Sequence, residues 1–130
     1  MNPIFRMLIA VAFLAIAIAT HAADLSAEDK EFLSGYEKVR AALAADDLSA
    51  AKSAAAELAE EGADLAKSDD IKAARAEFTK LSERAIELGR GQSGYHVANC
   101  PMLKKDWLQT STEISNPYDP KMPKCGVIRK

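Results

Sequence analysis

The spacing of apolar side chains in the first two thirds of the chain constrains the fold more than any other feature. The first stripe after the N-terminal segment consists of Phe32, Tyr36, Val39 and Leu43, at intervals of four, three and four residues. Because an α-helix has about 3.6 residues per turn, side chains at these intervals share one helical face. Ser26 lies before the stripe, and Asp29 is three residues after Ser26. This spacing is a weak form of the capping box that begins helices.

Two further stripes have the same spacing. The second consists of Leu48, Ala51, Ala55, Leu58 and Leu65, and the third consists of Ile71, Ala74, Phe78, Leu81, Ala85 and Leu88. Asp46-Asp47 and Ser68-Asp69-Asp70 precede these stripes and can cap the two helices. Gly62 predicts a bend or a frayed turn in the second helix, since glycine costs about 1 kcal/mol relative to alanine there. Gly89 predicts the end of the third helix.

The region after Gly89 differs in composition and does not continue the helical pattern. It contains four prolines, Pro101, Pro117, Pro120 and Pro123, and a proline disfavours helix at the residue before it. We therefore predict an all-α fold, an antiparallel three- to four-helix bundle over residues 23–89. An irregular Pro-rich segment, residues 90–130, is expected to pack on this bundle within a single domain. The side chains expected to complete the core are Tyr95, Val97, Trp107, Leu108, Ile114 and Tyr118.

The N-terminal residues predict export. Arg6 provides one positive charge, residues 7–19 are apolar, and Thr20-His21-Ala22 places small residues at the positions that signal peptidase reads. The apolar run is shorter than the roughly 20 residues that cross a bilayer, so an uncleaved anchor is the less favoured interpretation. We expect residues 1–22 to be a cleaved signal peptide and residues 23–130 to be a periplasmic or secreted domain without a membrane span.

Charge divides the expected mature chain into two parts. Residues 23–89 contain 16 acidic and 9 basic side chains, whereas residues 90–130 contain 3 acidic and 7 basic ones. Parts of opposite charge attract each other or contact different partners. The basic part is short and Pro-rich, so a nucleic-acid partner is not expected.

All sulfur of the expected mature chain lies in the C-terminal segment, as Cys100, Met102, Met122 and Cys125. Two cysteines in an oxidising compartment favour a disulfide, while a thiolate metal site and two free thiols remain alternatives. Thiolate and thioether sulfur prefer Cu(I) to Mg²⁺ or Ca²⁺. A disulfide would draw Met102 and Met122 closer and leave their thioethers as ligands, with His96 at most a secondary one. Methionine also fills hydrophobic cores, which is the structural alternative.

No pattern indicates an enzyme. Residues 89–94 match G-x-G-x-x-G, but a dinucleotide site needs this pattern between a strand and a helix. Here it follows a predicted helix, so we interpret it as a flexible turn. His96 is the single histidine of the expected mature chain, and no Ser/His/Asp set or organised pair of acids accompanies it.

The order of short motifs in the second half of the chain resembles a known family. Cys-Pro-Met begins at Cys100, Trp-Leu-Gln at Trp107, Ile-x-Asn-Pro-Tyr at Ile114 and Met-x-x-Cys-Gly at Met122, after the helical F-x-x-L-S of residues 78–82. This order resembles a small periplasmic domain of unknown function. The domain is found free-standing and appended to adaptor subunits of copper and silver efflux systems. The resemblance covers about residues 28–127. It marks Trp107, Gln109, Asn116, Pro117, Tyr118 and Gly126 as motif residues.

Two positions depart from that family. Asn99 stands where many members have histidine, and Asp119-Pro120 replaces a glycine-containing turn. The resemblance nevertheless implies a metal-linked role. We therefore expect an exported accessory protein, not an enzyme, that binds or traffics a heavy metal such as Cu(I) or another soft ion. Its expected partner is a periplasmic efflux adaptor or another envelope protein.

The candidate ligands under this hypothesis are Met102, Met122, Cys100, Cys125 and His96. The alternative hypothesis belongs to another class of protein. It is a cell-envelope interaction module that binds no metal and in which a Cys100–Cys125 disulfide is purely structural.

Overall fold

The computed structural model describes residues 24–130, so the predicted signal peptide lies outside the described residues. The α-helices are α1 (Ala27–Ala44), α2 (Leu48–Ala56), α3 (Ala63–Ala66) and α4 (Ile71–Gly89), with a 3-10 helix at Ala59–Gly62. The strands are β1 (His96–Cys100), β2 (Lys105–Gln109) and β3 (Val127–Ile128). Within residues 24–130, no helix combines the length and the apolar character that crossing a membrane requires.

The prediction of an all-α fold is wrong, because the C-terminal segment builds a three-stranded antiparallel sheet in the order β2-β1-β3. A turn over residues 101–104 joins β1 to β2, and Lys104 adopts a φ of 52° there. Residues 110–126 then form a long loop that returns the chain to the other side of β1. The fold is therefore a helical layer joined to a small sheet.

The predicted caps begin three of the helices. Ser26 and Asp29 form a complete capping box on α1, and the Asp47 and Asp70 side chains accept hydrogen bonds from the third residues of α2 and α4. The second predicted helix is shorter than expected, because α2 ends at Ala56 and a 3-10 turn follows. Gly62 lies so close to α2 that a Cβ there would overlap the carbonyl oxygen of Ala55.

A row of aromatic rings connects the helices to the C-terminal segment. The ring centroids of Tyr36 on α1 and Phe78 on α4 are 5.2 Å apart, and that of Tyr118 is 5.5 Å from Phe78. Trp107 on β2 follows at 6.3 Å from Tyr118. The expectation that the tail completes the core is confirmed. Trp107, Leu108 and Val97 are buried, and Tyr95, Ile114 and Tyr118 are partly buried against the same core.

Helix side chains close the outer edge of β2. The Tyr36 hydroxyl donates to the carbonyl oxygen of Leu108 and accepts from its backbone N–H, at 2.9 Å in both cases. The Ser82 hydroxyl donates to the carbonyl oxygen of Asp106 at 3.0 Å. The backbone groups of an open strand edge can pair with another chain. The two hydroxyls bind three such groups of β2, the N–H and carbonyl of Leu108 and the carbonyl of Asp106.

We expect Tyr36→Phe to lower the free energy of unfolding by about 1–3 kcal/mol, because it leaves two buried backbone groups of Leu108 without a partner. Urea denaturation followed by circular dichroism measures the change. Tyr95→Phe is the matched control, since the Tyr95 hydroxyl makes no hydrogen bond within residues 24–130. Equal stability of the two variants would contradict this role of Tyr36.

The pH dependence of stability provides a second readout of the same side chain. Burial raises the pKa of Tyr36 far above its ordinary value. The unfolded chain loses this proton at about pH 10 while the folded chain retains it, so stability is complete below that pH and falls as pH rises further. The fall should be shallower in Tyr36→Phe than in the parent.

Candidate functional site

A disulfide joins the end of β1 to the residues just before β3. Cys100 and Cys125 are bridged, with their Cα atoms 5.4 Å apart and 25 positions apart in the chain. Cys100 is fully buried and Cys125 is partly buried. The predicted disulfide is confirmed, and in this state neither cysteine offers a thiolate to a metal.

The disulfide fixes two methionine-bearing turns at one end of the sheet. Met102 lies in the turn between β1 and β2 and is 77% exposed to solvent. Met122 lies in a turn in which its carbonyl oxygen accepts from the Cys125 N–H at 3.1 Å, and it is partly buried. Each methionine is therefore within three residues of a bridged cysteine.

His96 does not belong to this group of sulfur-bearing residues. It begins β1 opposite Gln109, whereas Cys100 ends the strand opposite Lys105. The four residue steps from His96 to Cys100 place their Cα atoms about 13 Å apart, at roughly 3.3 Å per step along a strand. Across residues 24–130, no group of three or more His, Cys, Asp or Glu side chains is arranged to hold a metal ion. The thioethers are the soft ligands that remain at this end of the sheet.

Gln109 organises the loop that follows β2. Its side-chain oxygen accepts from the Trp107 indole N–H at 2.9 Å and from the Ser115 N–H at 3.2 Å. Its amide nitrogen donates to the carbonyl oxygens of Ser111 and Glu113 at 2.6 and 2.8 Å. Gln109 is 1% exposed, so it is a structural motif residue and is closed to solvent ligands.

Asn116 holds the turn that carries Met122. Its side-chain nitrogen donates to the Met122 carbonyl oxygen at 3.0 Å, and its side-chain oxygen accepts from the Tyr118 N–H at 2.8 Å. Its backbone N–H also donates to the Pro123 carbonyl oxygen at 3.0 Å. The buried Asn116 of the Asn-Pro-Tyr motif thus positions the Met122 turn.

Gly126 follows the bridged Cys125 and packs directly on Trp107. It has a φ of 150°, and an added Cβ would lie 3.1 Å from the Trp107 ring and 3.2 Å from the Asn99 carbonyl oxygen. The Cys-Gly pair therefore lets the chain pass closely over the indole before entering β3. This contact explains a motif position that the sequence identified without a physical reason.

Two arginines that the sequence analysis did not single out hold the C-terminal loop on the helices. Arg40 donates to the Ser115 carbonyl oxygen and Arg75 to the Pro117 carbonyl oxygen, at 2.9 Å in both cases. Their spacing in the sequence indicated that they lie near the core, because each is three or four residues from a core aromatic side chain of its own helix, Tyr36 or Phe78. Placing their acceptors required the tertiary structure.

Known proteins add no family assignment. No family model matches the chain, and neither a curated protein nor a solved structure is significantly similar to it. The resemblance of the tail motifs to the efflux-linked periplasmic domain therefore stays a prediction.

Proposed function

We propose that this protein is an exported accessory protein of heavy-metal handling that binds a soft ion, Cu(I) above all, through methionine thioethers. The observation that carries the proposal is the exposure of Met102, which is 77% accessible to solvent in the turn next to the disulfide. A side chain with that exposure does not fill a core, so the packing explanation for methionine does not apply to Met102.

The chemistry of the neighbouring residues supports thioether binding. The bridged cysteines are unavailable, and thioethers do not form disulfides, so Met102 and Met122 keep their affinity for soft ions in an oxidising compartment. Asn116 holds the Met122 turn by a 3.0 Å hydrogen bond, which limits the freedom of this second ligand. Two neutral ligands leave coordination positions open to a partner protein. Such a site suits transfer of the ion more than permanent storage.

The proposed setting follows from the sequence. Residues 1–22 favour export to the periplasm or beyond, and the tail motifs favour an efflux adaptor or another envelope protein as the partner. We assign the protein a binding role and not an enzymatic one.

An envelope interaction module without metal is the second candidate function. Its supporting observation is the pair of exposed apolar side chains in and beside the sheet. Met102 is 77% exposed, and Val127, which pairs with Asn99 next to the bridge, is 58% exposed. Under this alternative the disulfide serves only to hold the contact surface.

Competition titration with a Cu(I) chelator distinguishes the two candidates. We expect the oxidised parent protein to withdraw Cu(I) from the chelator. The double variant Met102→Leu, Met122→Leu should bind more than about tenfold more weakly, since even changes outside the ligand shell commonly cost that much affinity. Leucine nearly conserves the volume of methionine, so the stability should change by less than about 1.5 kcal/mol.

His96→Gln is the matched control for this titration. It replaces a candidate nitrogen ligand that lies at the far end of β1 from the methionines, so the Cu(I) affinity should stay at the parent value. Equal affinity of the parent and the double leucine variant would remove the thioether site. Failure of the parent to bind Cu(I) would favour the interaction module.

A further inference from the structure

A positively charged cleft lies between α4 and the turn that joins β1 to β2. Its volume is about 280 Å³, and its lining residues are Lys72, Arg75, Ala76, Leu103, Lys105 and Tyr118. The lining contains three cationic side chains and no carboxylate, although the whole chain has a net charge of −2. The adjoining cleft, which shares Lys105 and Tyr118, contains Glu83, Glu87 and Asp106 and is therefore of mixed charge.

Arg75 is held rigidly at this cleft. Its Nε donates to the Pro117 carbonyl oxygen at 2.9 Å, and its Nη2 donates to the Leu43 carbonyl oxygen and to Asp46, also at 2.9 Å. The side chain is 12% exposed. Among residues 24–130, the Nη1 atom has no hydrogen-bond acceptor, so the fixed guanidinium retains a free donor.

The two lysines of the cleft lack acidic partners. Neither Lys72 nor Lys105 forms an ion pair within residues 24–130. The Lys105 ammonium instead lies 5.3 Å from the ring centroid of Tyr118. Uncompensated charges of one sign in a concave surface attract ions of the opposite sign and raise their local concentration. The same cleft presents apolar surface from Leu103 and Tyr118.

We propose that this cleft binds a carboxylate that is attached to an apolar group. The carboxylate interacts with Lys72, Arg75 and Lys105, and the apolar group packs on Leu103 and the Tyr118 ring. The volume lies near the lower limit of small-molecule sites, about 300–1,000 Å³, so it suits one ring or a short chain. Either a free organic acid or an acidic side chain beside an apolar one in a peptide has this chemistry. The proposal does not depend on metal binding.

Titration of the oxidised protein with phenylacetate, followed by amide chemical shifts in NMR, tests the proposal. We expect saturable shifts at residues 72–76, 103–105 and 118. The neutral analogue phenylacetamide should bind at least about fivefold more weakly, because it lacks the charge. The peptide acetyl-phenylalanyl-aspartyl amide tests the second source of the same chemistry. Tighter binding of the peptide would assign the site to a protein partner, and tighter binding of phenylacetate to a free acid.

The double variant Lys72→Gln, Lys105→Gln should weaken phenylacetate binding about fivefold, because it removes one exposed and one partly buried positive charge from the cleft. Lys104→Gln is the matched control. It removes a charge from the same turn, but Lys104 lines the cleft of mixed charge. The affinity of Lys104→Gln for phenylacetate should stay within about twofold of the parent value, since an exposed charge outside the cleft contributes little. Absence of saturable binding, equal binding of the amide, or an equal loss in Lys104→Gln would overturn the proposal.

Discussion

Replacing Cys100 with alanine and Cys125 with serine is expected to lower the free energy of unfolding by about 3.5 kcal/mol. The disulfide closes a loop over a separation of 25 residues, and the chain-entropy model assigns that value to such a loop. The loss should be large for this fold because β3 has only two residues and contributes little pairing by itself. Alanine is chosen at position 100 because Cys100 is fully buried and a serine hydroxyl there would add a polar penalty.

Urea denaturation of the oxidised parent and of the double variant measures this effect. Reduction of the parent provides the matched control, because it removes the same cross-link without changing either residue. Both treatments should reduce stability by a similar amount while leaving the helical circular dichroism signal in the absence of urea. A change of less than about 1 kcal/mol would contradict a stabilising role for the bridge, given its expected contribution of about 2–4 kcal/mol.

Trp107→Ala is the second substitution with a large expected effect, a loss of about 3–5 kcal/mol. Trp107 is fully buried in β2, and its indole N–H donates to Gln109 at 2.9 Å. The substitution leaves a cavity between the sheet and the 110–126 loop, and it removes the surface on which Gly126 packs. Thermal unfolding followed by circular dichroism is the appropriate measurement, because the variant loses the single tryptophan fluorophore.

Leu103→Ala is the control for Trp107→Ala. Leu103 is partly buried in the turn next to β2, so its truncation should cost clearly less. Trp107→Phe should fall between the two, since it keeps an aromatic ring but loses the hydrogen bond to Gln109. If Trp107→Ala were no more destabilising than Leu103→Ala, the indole would not be the centre of the C-terminal core.

The helices could be predicted because their signals are local. Ser26, Asp47 and Asp70 each accept a hydrogen bond from a backbone N–H three residues later, which is the interaction that favours such residues before an apolar stripe. The 3-10 turn was harder to place, because the close contact of Gly62 with Ala55 depends on how the chain folds back on α2. Gly62 therefore predicted that the second helix is interrupted, but not that the interruption is a 3-10 helix.

The sheet could not be predicted from periodicity. Successive residues of a strand point to opposite faces, yet Trp107 and Leu108 are both buried because each face of β2 is covered at that point. The alternation of apolar and polar residues that indicates a strand is therefore absent. Pairing of β1 with β3 joins residues about 30 positions apart, as for Ala98 and Ile128, and no local pattern specifies it.

The candidate site was predictable only in part. The even number of cysteines indicated the disulfide, and the concentration of sulfur in the tail indicated the methionines. The sequence alone did not show that Met102 is exposed and Met122 partly buried. It also did not show that His96 lies at the other end of β1 from both, because these differences follow from the hairpin. The contact of Arg40 with Ser115 spans 75 positions and likewise depends on the tertiary fold.

We propose that the disulfide is structural and that methionine thioethers bind the metal. The most direct test is the Cu(I) stoichiometry of the oxidised protein, measured together with its free-thiol count in the same sample. We expect Cu(I) to bind in a fixed ratio while the thiol count stays at zero, because the bridged Cys100 and Cys125 take no part. Cu(I) binding that arises only after reduction, with both thiols protected by the bound metal, would contradict it.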